Sequence, residues 1–226
     1  MSRVWKVWCS PETFAAIRGD DGFAVLLALA RAVNQVRFAI QALAAIPHDD
    51  ASPNANRQQA SAILTAGAAL VEGVELARKY TGKHFRKLPA FSALVEIWCK
   101  SEYQKLIESN LLPARNKVVA HFDPEEAKRV AADLTFTDLC IFADGQGGES
   151  LNLHYKLADG LALMTLIGPV HTEAEMEAQM TETARMLGEL AGEFATAADG
   201  LIGEALGTYG FRHDADPENE NTAPKP

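Results

Sequence analysis

The sequence predicts a mainly α-helical protein: a helical bundle with a small β-hairpin and a long C-terminal helix. Three observations carry that prediction. Phe23, Leu26, Leu27, Ala30, Val33, Val36 and Ile40 recur at the spacing of one helix face. The run Asp144–Gly145–Gln146–Gly147–Gly148 lies between two β-prone stretches, as a hairpin turn does. His171–Thr172–Glu173–Ala174–Glu175 contains a T-x-x-E capping box ahead of a long periodic segment.

Taken in order, Ser10–Pro11–Glu12 reads as a helix start, with Ser as N-cap, Pro in the first turn and an acid beside the positive end of the helix dipole. Gly19–Asp20–Asp21–Gly22 breaks this segment, and a stronger helix runs from Phe23 to about Ile46. Pro47 to Pro53 is a polar loop. The alanine-rich residues from Asn54 to Tyr80 form the next helix, with Gly82 as its stop. A third helical region starts near Pro89 and places Phe91, Leu94, Val95 and Trp98 on one stripe. Pro113 disfavours unbroken helix and belongs in the first turn of a new one. Asp123–Pro124–Glu125–Glu126 is a further helix start.

Phe136 to Phe142 and Leu151 to Tyr155 are the expected hairpin strands, and Leu157 to Ile167 is open between helix and strand. The capping box opens a helix to about Leu206, stopped by Gly207. The expected organisation is a bundle over 1–134, the hairpin and C-terminal helix packed on it over 135–207, and a flexible polar tail over 208–226.

The 226 residues are 48% hydrophobic, enough for a real core. Met1 to Ser10 carries Arg3 and Lys6 but no apolar h-region, and the longest apolar run, Phe23 to Ala30, is too short to cross a bilayer. Cys9, Cys99 and Cys140 are odd in number and widely spaced, which fits free thiols in a reducing compartment. The expectation is a cytoplasmic protein with no membrane partner.

The net charge of −9 argues against indiscriminate nucleic-acid binding. From Arg78 to Arg129, however, eleven Lys and Arg face six Asp and Glu, a local +5 within a remainder of −14. That basic middle is either a confined anion site or ordinary solvated charge on helix faces.

Motifs for metals and cofactors are missing. None of the six histidines has Glu three residues before it, and there is no His-Glu-x-x-His, Cys-x-x-Cys or Walker loop, so neither metal nor cofactor is expected. The glycine-rich turn at 145–148 opens no helix and reads as a hairpin turn rather than a phosphate cradle. Met164, Met176, Met180 and Met186 read as core filler, and His48 and His213 as solvated.

What remains is Arg115-Asn116-Lys117-Val118-Val119-Ala120-His121, followed by Phe122 and Asp123. This segment, late in a helical bundle, resembles the signature of the HEPN superfamily: Arg with a polar follower, here Asn116, then His a few residues on. It is most similar to the forms found in abortive-infection and toxin–antitoxin systems. The resemblance covers about residues 10 to 130. A second pair at the same spacing, Arg78 and His84, is set aside because Gly82 lies between them at an expected helix end.

The resemblance implies a HEPN-like fold and a metal-independent ribonuclease acting as a homodimer, with an antitoxin or other protein as a further partner. His121 would move the proton of the ribose 2′-OH or of the leaving 5′-oxygen, suited by an imidazole pKa near 6.5. Arg115 would hold the scissile phosphate with its planar fork. Asn116 would orient phosphate or imidazole. Lys117 and the cluster Arg78, Lys79, Lys83, Arg86 and Lys87 would line the RNA path.

Six residues of α-helix turn about 600°, so Arg115 and His121 point about 120° apart. A long Arg side chain, a distorted last turn near Phe122, or a dimer cleft would have to unite them. Other readings stay open at this point. Arg115 could simply pair with Glu72 or Glu75, and His121 could complement a helix C-terminus. The module would then be a non-catalytic nucleotide-binding or dimerisation unit, or an unrelated helical fold.

Overall fold

The computed structural model describes residues 7–46, 53–116, 124–125, 128–129, 143–144, 153–154, 156–168 and 172–213. It is a mainly α-helical bundle. β1 (Val7–Trp8) leads into α1 (Pro11–Ile17), α2 (Asp21–Ala44) and α3 (Pro53–Leu76), which continues through a π-helical turn (Ala77–Thr81) into α4 (Gly82–Phe85). Next come α5 (Phe91–Cys99) and α6 (Ser101–Leu106), a second π turn (Ile107–Leu111) and α7 (Leu112–Ala114). β2 (Ala143–Asp144) and β3 (Leu153–His154) precede α8 (Lys156–Ile167), α9 (Glu173–Thr208) and β4 (Arg212–His213).

Local chemistry sets the helix starts. Ser10 Oγ accepts the Thr13 N–H at 3.2 Å, Asp20 Oδ1 that of Phe23 at 2.8 Å, and Thr172 Oγ1 that of Glu175 at 3.2 Å. Because Asp20 is the cap, α2 begins at Asp21, and Gly22 lies inside its first turn rather than breaking the chain. There a Cβ would stand 2.6 Å from the Tyr209 hydroxyl, so any larger residue would have to displace that hydroxyl.

The core is one cluster shared by α2, α3, α5, α6, α8 and α9. Leu26, Leu29, Val33 and Val36 of α2, Leu70 and Val74 of α3, and Leu187, Leu190, Phe194 and Leu201 of α9 are nearly inaccessible. α9 is therefore a full member of the bundle. α2 and the helix over Gln58–Phe85 have the length and composition of membrane-spanning helices, and they direct these buried apolar faces to each other and to α9.

At the α2–α3–α9 junction, a Cβ on Gly73 would lie 2.8 Å from the Phe194 ring and 3.3 Å from Ala32 Cβ. Gly73→Ala gains up to about 1 kcal/mol of helix propensity, but overpacking against a fixed ring costs about 1–3 kcal/mol. Net destabilisation of about 1–2 kcal/mol is expected in urea unfolding. A stabilised variant would show that Phe194 can move.

Several boundaries differ from those the sequence predicts, each for a tertiary reason. Gly82 does not stop its helix: its φ of −62° is helical, and Ala77, Thr81 and Phe85 keep one stripe in the core across it. The third helical region breaks at Lys100, whose ψ of 119° is extended. Its ammonium reaches Glu193 of α9 at 2.6 Å, and the Ala90 N–H at the start of α5 is capped by Glu204 Oε2 of α9 at 2.8 Å. Pro113 stands in the first turn of α7, but the π turn joins it to α6 without a loop. A widened turn suits a residue that has no N–H and crowds the carbonyl four residues back.

α9 runs past Gly207 and ends at Gly210, whose φ of +81° is left-handed. The Phe211 N–H bonds to Leu206 O at 3.1 Å and the Gly210 N–H to Gly207 O at 3.1 Å, a Schellman ending. Residues 208–213, assigned to the tail, thus complete α9 and form β4, which pairs antiparallel with β1. The Arg212 guanidinium lies over the Trp8 ring at 5.9 Å.

The region 157–167 is helical, with Asn110 Nδ2 donating to Leu166 O at 2.6 Å. The hairpin pairs Ala143 with His154 and Asp144 with Leu153, and its turn at 145–148 lies outside the described residues. So do all of 130–142, Cys140 and the expected first strand among them; helical backbone at 124–125 accompanies the expected helix start, whose Asp123 is also outside. Met164 is buried and Met186 packs on the core.

Two tyrosines tie α9 to other helices and give a pH prediction. Tyr103 donates to Glu193 Oε1 at 2.9 Å, and Tyr209 donates to Asp20 Oδ1. Burial first, then the acceptor carboxylate, pushes each phenol from its ordinary 10.0 up to about 12. A raised folded pKa gives stability that is complete below pH 10 and lost as pH rises toward 12. Thermal melts should therefore fall across pH 10–12. Tyr103→Phe should flatten that fall, and an unchanged slope would reject the assignment.

Candidate functional site

The Arg115 segment follows directly from α7. Ala114 is buried, which turns Arg115 toward the outer face of α3. There Val71 and Val74 point into the core, leaving Glu72 and Glu75 on the exposed side, three residues apart. Arg115 Nη1 donates to Glu72 Oε1, and Nη2 donates to Glu75 Oε2 at 2.9 Å.

The Arg115 side chain is 21% exposed, against 59% and 49% for the two glutamates. Its Nε is buried and has no hydrogen-bond partner among the described residues. One cation between two carboxylates carries a local charge of −1, and ion pairs this exposed stabilise by only about 0.2–1 kcal/mol each. Asn116 is exposed on the same turn. Lys117 and His121 lie outside the described residues.

Arg78, Lys79 and Lys83 occupy the continuation of the helix that carries Glu72 and Glu75, and Arg86 and Lys87 the turn that follows it. Arg78, Lys79, Lys83, Arg86 and Lys87 are all exposed. Lys83 Nζ is 4.0 Å from Asp21 Oδ2, and Lys79 Nζ stands 5.0 Å from the Tyr80 ring centre. Arg78, Arg86 and Lys87 form no ion pair among the described residues. The structure thus brings Arg115 beside the acidic end of a helix whose next turns are cationic.

The reason for setting aside Arg78 and His84 does not hold, since one continuous helix carries both across Gly82. Their surroundings differ from those of Arg115. Asp20 Oδ1, Tyr209 Oη and His84 Nδ1 all lie within 3.3 Å of the point a Gly22 Cβ would occupy. The Tyr209 hydroxyl, then the Phe23 N–H, hold the Asp20 carboxyl below its usual range, and His84 contributes the same way. This cluster ties the end of α9 to the start of α2. Sequence reading missed it because Asp20 and Tyr209 are 189 residues apart and neither carries a motif.

Among the described residues no three His, Cys, Asp or Glu side chains gather as a metal site. A cavity of about 290 Å³ between α2 and α3, against Phe38, Ile46 and Thr65, has no charged lining residue and none of the candidate residues. No family model matches the chain, and no curated protein or solved structure matches it.

Proposed function

We propose that this chain is a HEPN-like, metal-independent ribonuclease of a defence or toxin–antitoxin type, acting as a homodimer in the cytoplasm. The observation that carries the reading is the sequence segment Arg115-Asn116-Lys117-x-x-Ala120-His121-x-Asp123 in a chain whose described residues form a mainly α-helical bundle. The exposed cations at Arg78, Lys79, Lys83, Arg86 and Lys87 support it as a backbone-binding surface.

In this reading the ribose 2′-oxygen attacks phosphorus while the P–O5′ bond breaks. The products are a 2′,3′-cyclic phosphate and a free 5′-OH. His121 takes the 2′ proton or supplies the one that the 5′-oxygen needs, and Arg115 neutralises charge on the non-bridging oxygens. Asn116 orients either group.

The Glu72–Arg115–Glu75 arrangement favours a second reading: a non-catalytic nucleotide-binding or protein-interaction module in which Arg115 holds helices together. Purified protein incubated with total RNA in EDTA separates the two. Cleavage by wild type that is lost in Arg115→Ala and in His121→Ala supports the nuclease. Equal inertness of all three proteins supports the second reading.

A further inference from the structure

We propose that Glu72 and Glu75 form an autoinhibitory clamp on Arg115, which RNA opens by replacing the two carboxylates with its own phosphate. The inference rests on the ribonuclease reading and adds a regulation of that site.

The contacts themselves carry it. Both terminal nitrogens of the guanidinium are engaged, one by each glutamate. These are the donors that a planar fork presents to phosphate oxygens. An incoming phosphate therefore meets an occupied fork and a net local charge of −1.

The clamp is also built to open. Both carboxylates are about half exposed, at 59% and 49%, so water screens the pairs and compensates the glutamates once they are released. Lys79 lies one helical turn beyond Glu75, with Lys83 a turn further, in the π turn and short helix that continue α3. A polyanion gathered by those cations is delivered beside the clamp at high local concentration, which a free mononucleotide is not. The clamp thus discriminates RNA strands from small phosphates.

The test uses the full chain, low salt, EDTA and a fluorescein-labelled single-stranded RNA oligonucleotide. Glu72→Gln/Glu75→Gln keeps a hydrogen-bond acceptor at each position but removes both charges. The double variant should bind the RNA about tenfold more tightly and cleave it faster, with a gain that shrinks as salt rises. Adding Arg115→Ala to the double variant should abolish the gain.

A gain that survives without Arg115 is a general loss of negative charge and overturns the clamp. Cleavage below wild type also overturns it, because the glutamates would then be positioning Arg115. If wild type cleaves through Arg115 and His121 but the double variant shows no gain, the clamp fails while the nuclease reading stands. An Arg115-dependent gain in binding with no cleavage by any variant keeps the clamp and removes the nuclease. Glu75→Gln alone serves if the double variant does not fold, and should show a smaller gain with the same dependence on Arg115.

Discussion

Phe194→Ala is expected to destabilise the protein by about 3–5 kcal/mol, most of the stability of an ordinary domain. The ring is 1% exposed and stands where three helices meet, with Gly73 of α3 under its edge and Ala32 of α2 beside it. Gly73 and Ala32 are too small to fill the space that the ring would leave. The loss then includes the cavity as well as the transfer free energy of the ring. Urea unfolding followed by circular dichroism measures it. A loss below about 1 kcal/mol would mean that α9 is not integral to the core.

The second large effect is on chemistry. His121→Ala should reduce RNA cleavage by about 10²–10⁴-fold, the usual contribution of a positioned acid or base. Arg115→Ala should cause a loss of similar order, since one fixed donor to a developing oxyanion is worth about 10²–10³-fold. Stability should fall far less in Arg115→Ala, by about 0.2–1 kcal/mol for each ion pair removed, because both glutamates are about half exposed. Kinetics and melting curves on the same preparations separate the two. A large drop in melting temperature with little loss of cleavage would identify Arg115 as a structural tie.

The sequence makes legible whatever is decided within a few residues. Ser10, Asp20 and Thr172 act locally, through a side-chain oxygen and an N–H three residues on. The apolar faces of α2 and α9 are likewise written in residues one turn apart. What the sequence hides is settled by contacts made far along the chain. Gly82 stays helical because Thr81 and Phe85 are needed in the core, and Gly207 is passed over because the left-handed turn falls at Gly210. The break at Lys100 accompanies a bond to Glu193, and β4 forms because β1 is there to pair with it.

The candidate site follows the same division. Its motif residues are adjacent in sequence. The pairing of Arg115 with Glu72 and Glu75 could be named as an alternative, but nothing local selects it, since about forty residues intervene.

The measurement that bears most directly on the nuclease reading is cleavage, in EDTA, of an oligonucleotide with one ribonucleotide in an otherwise deoxyribonucleotide strand, beside its all-deoxy counterpart. One cut is expected, 3′ of the ribose, leaving a 2′,3′-cyclic phosphate, with no cut in the all-deoxy strand and cutting at least about 100-fold slower by His121→Ala. Cutting of the all-deoxy strand, cutting by His121→Ala at the wild-type rate, or no cutting by wild type would overturn the nuclease reading.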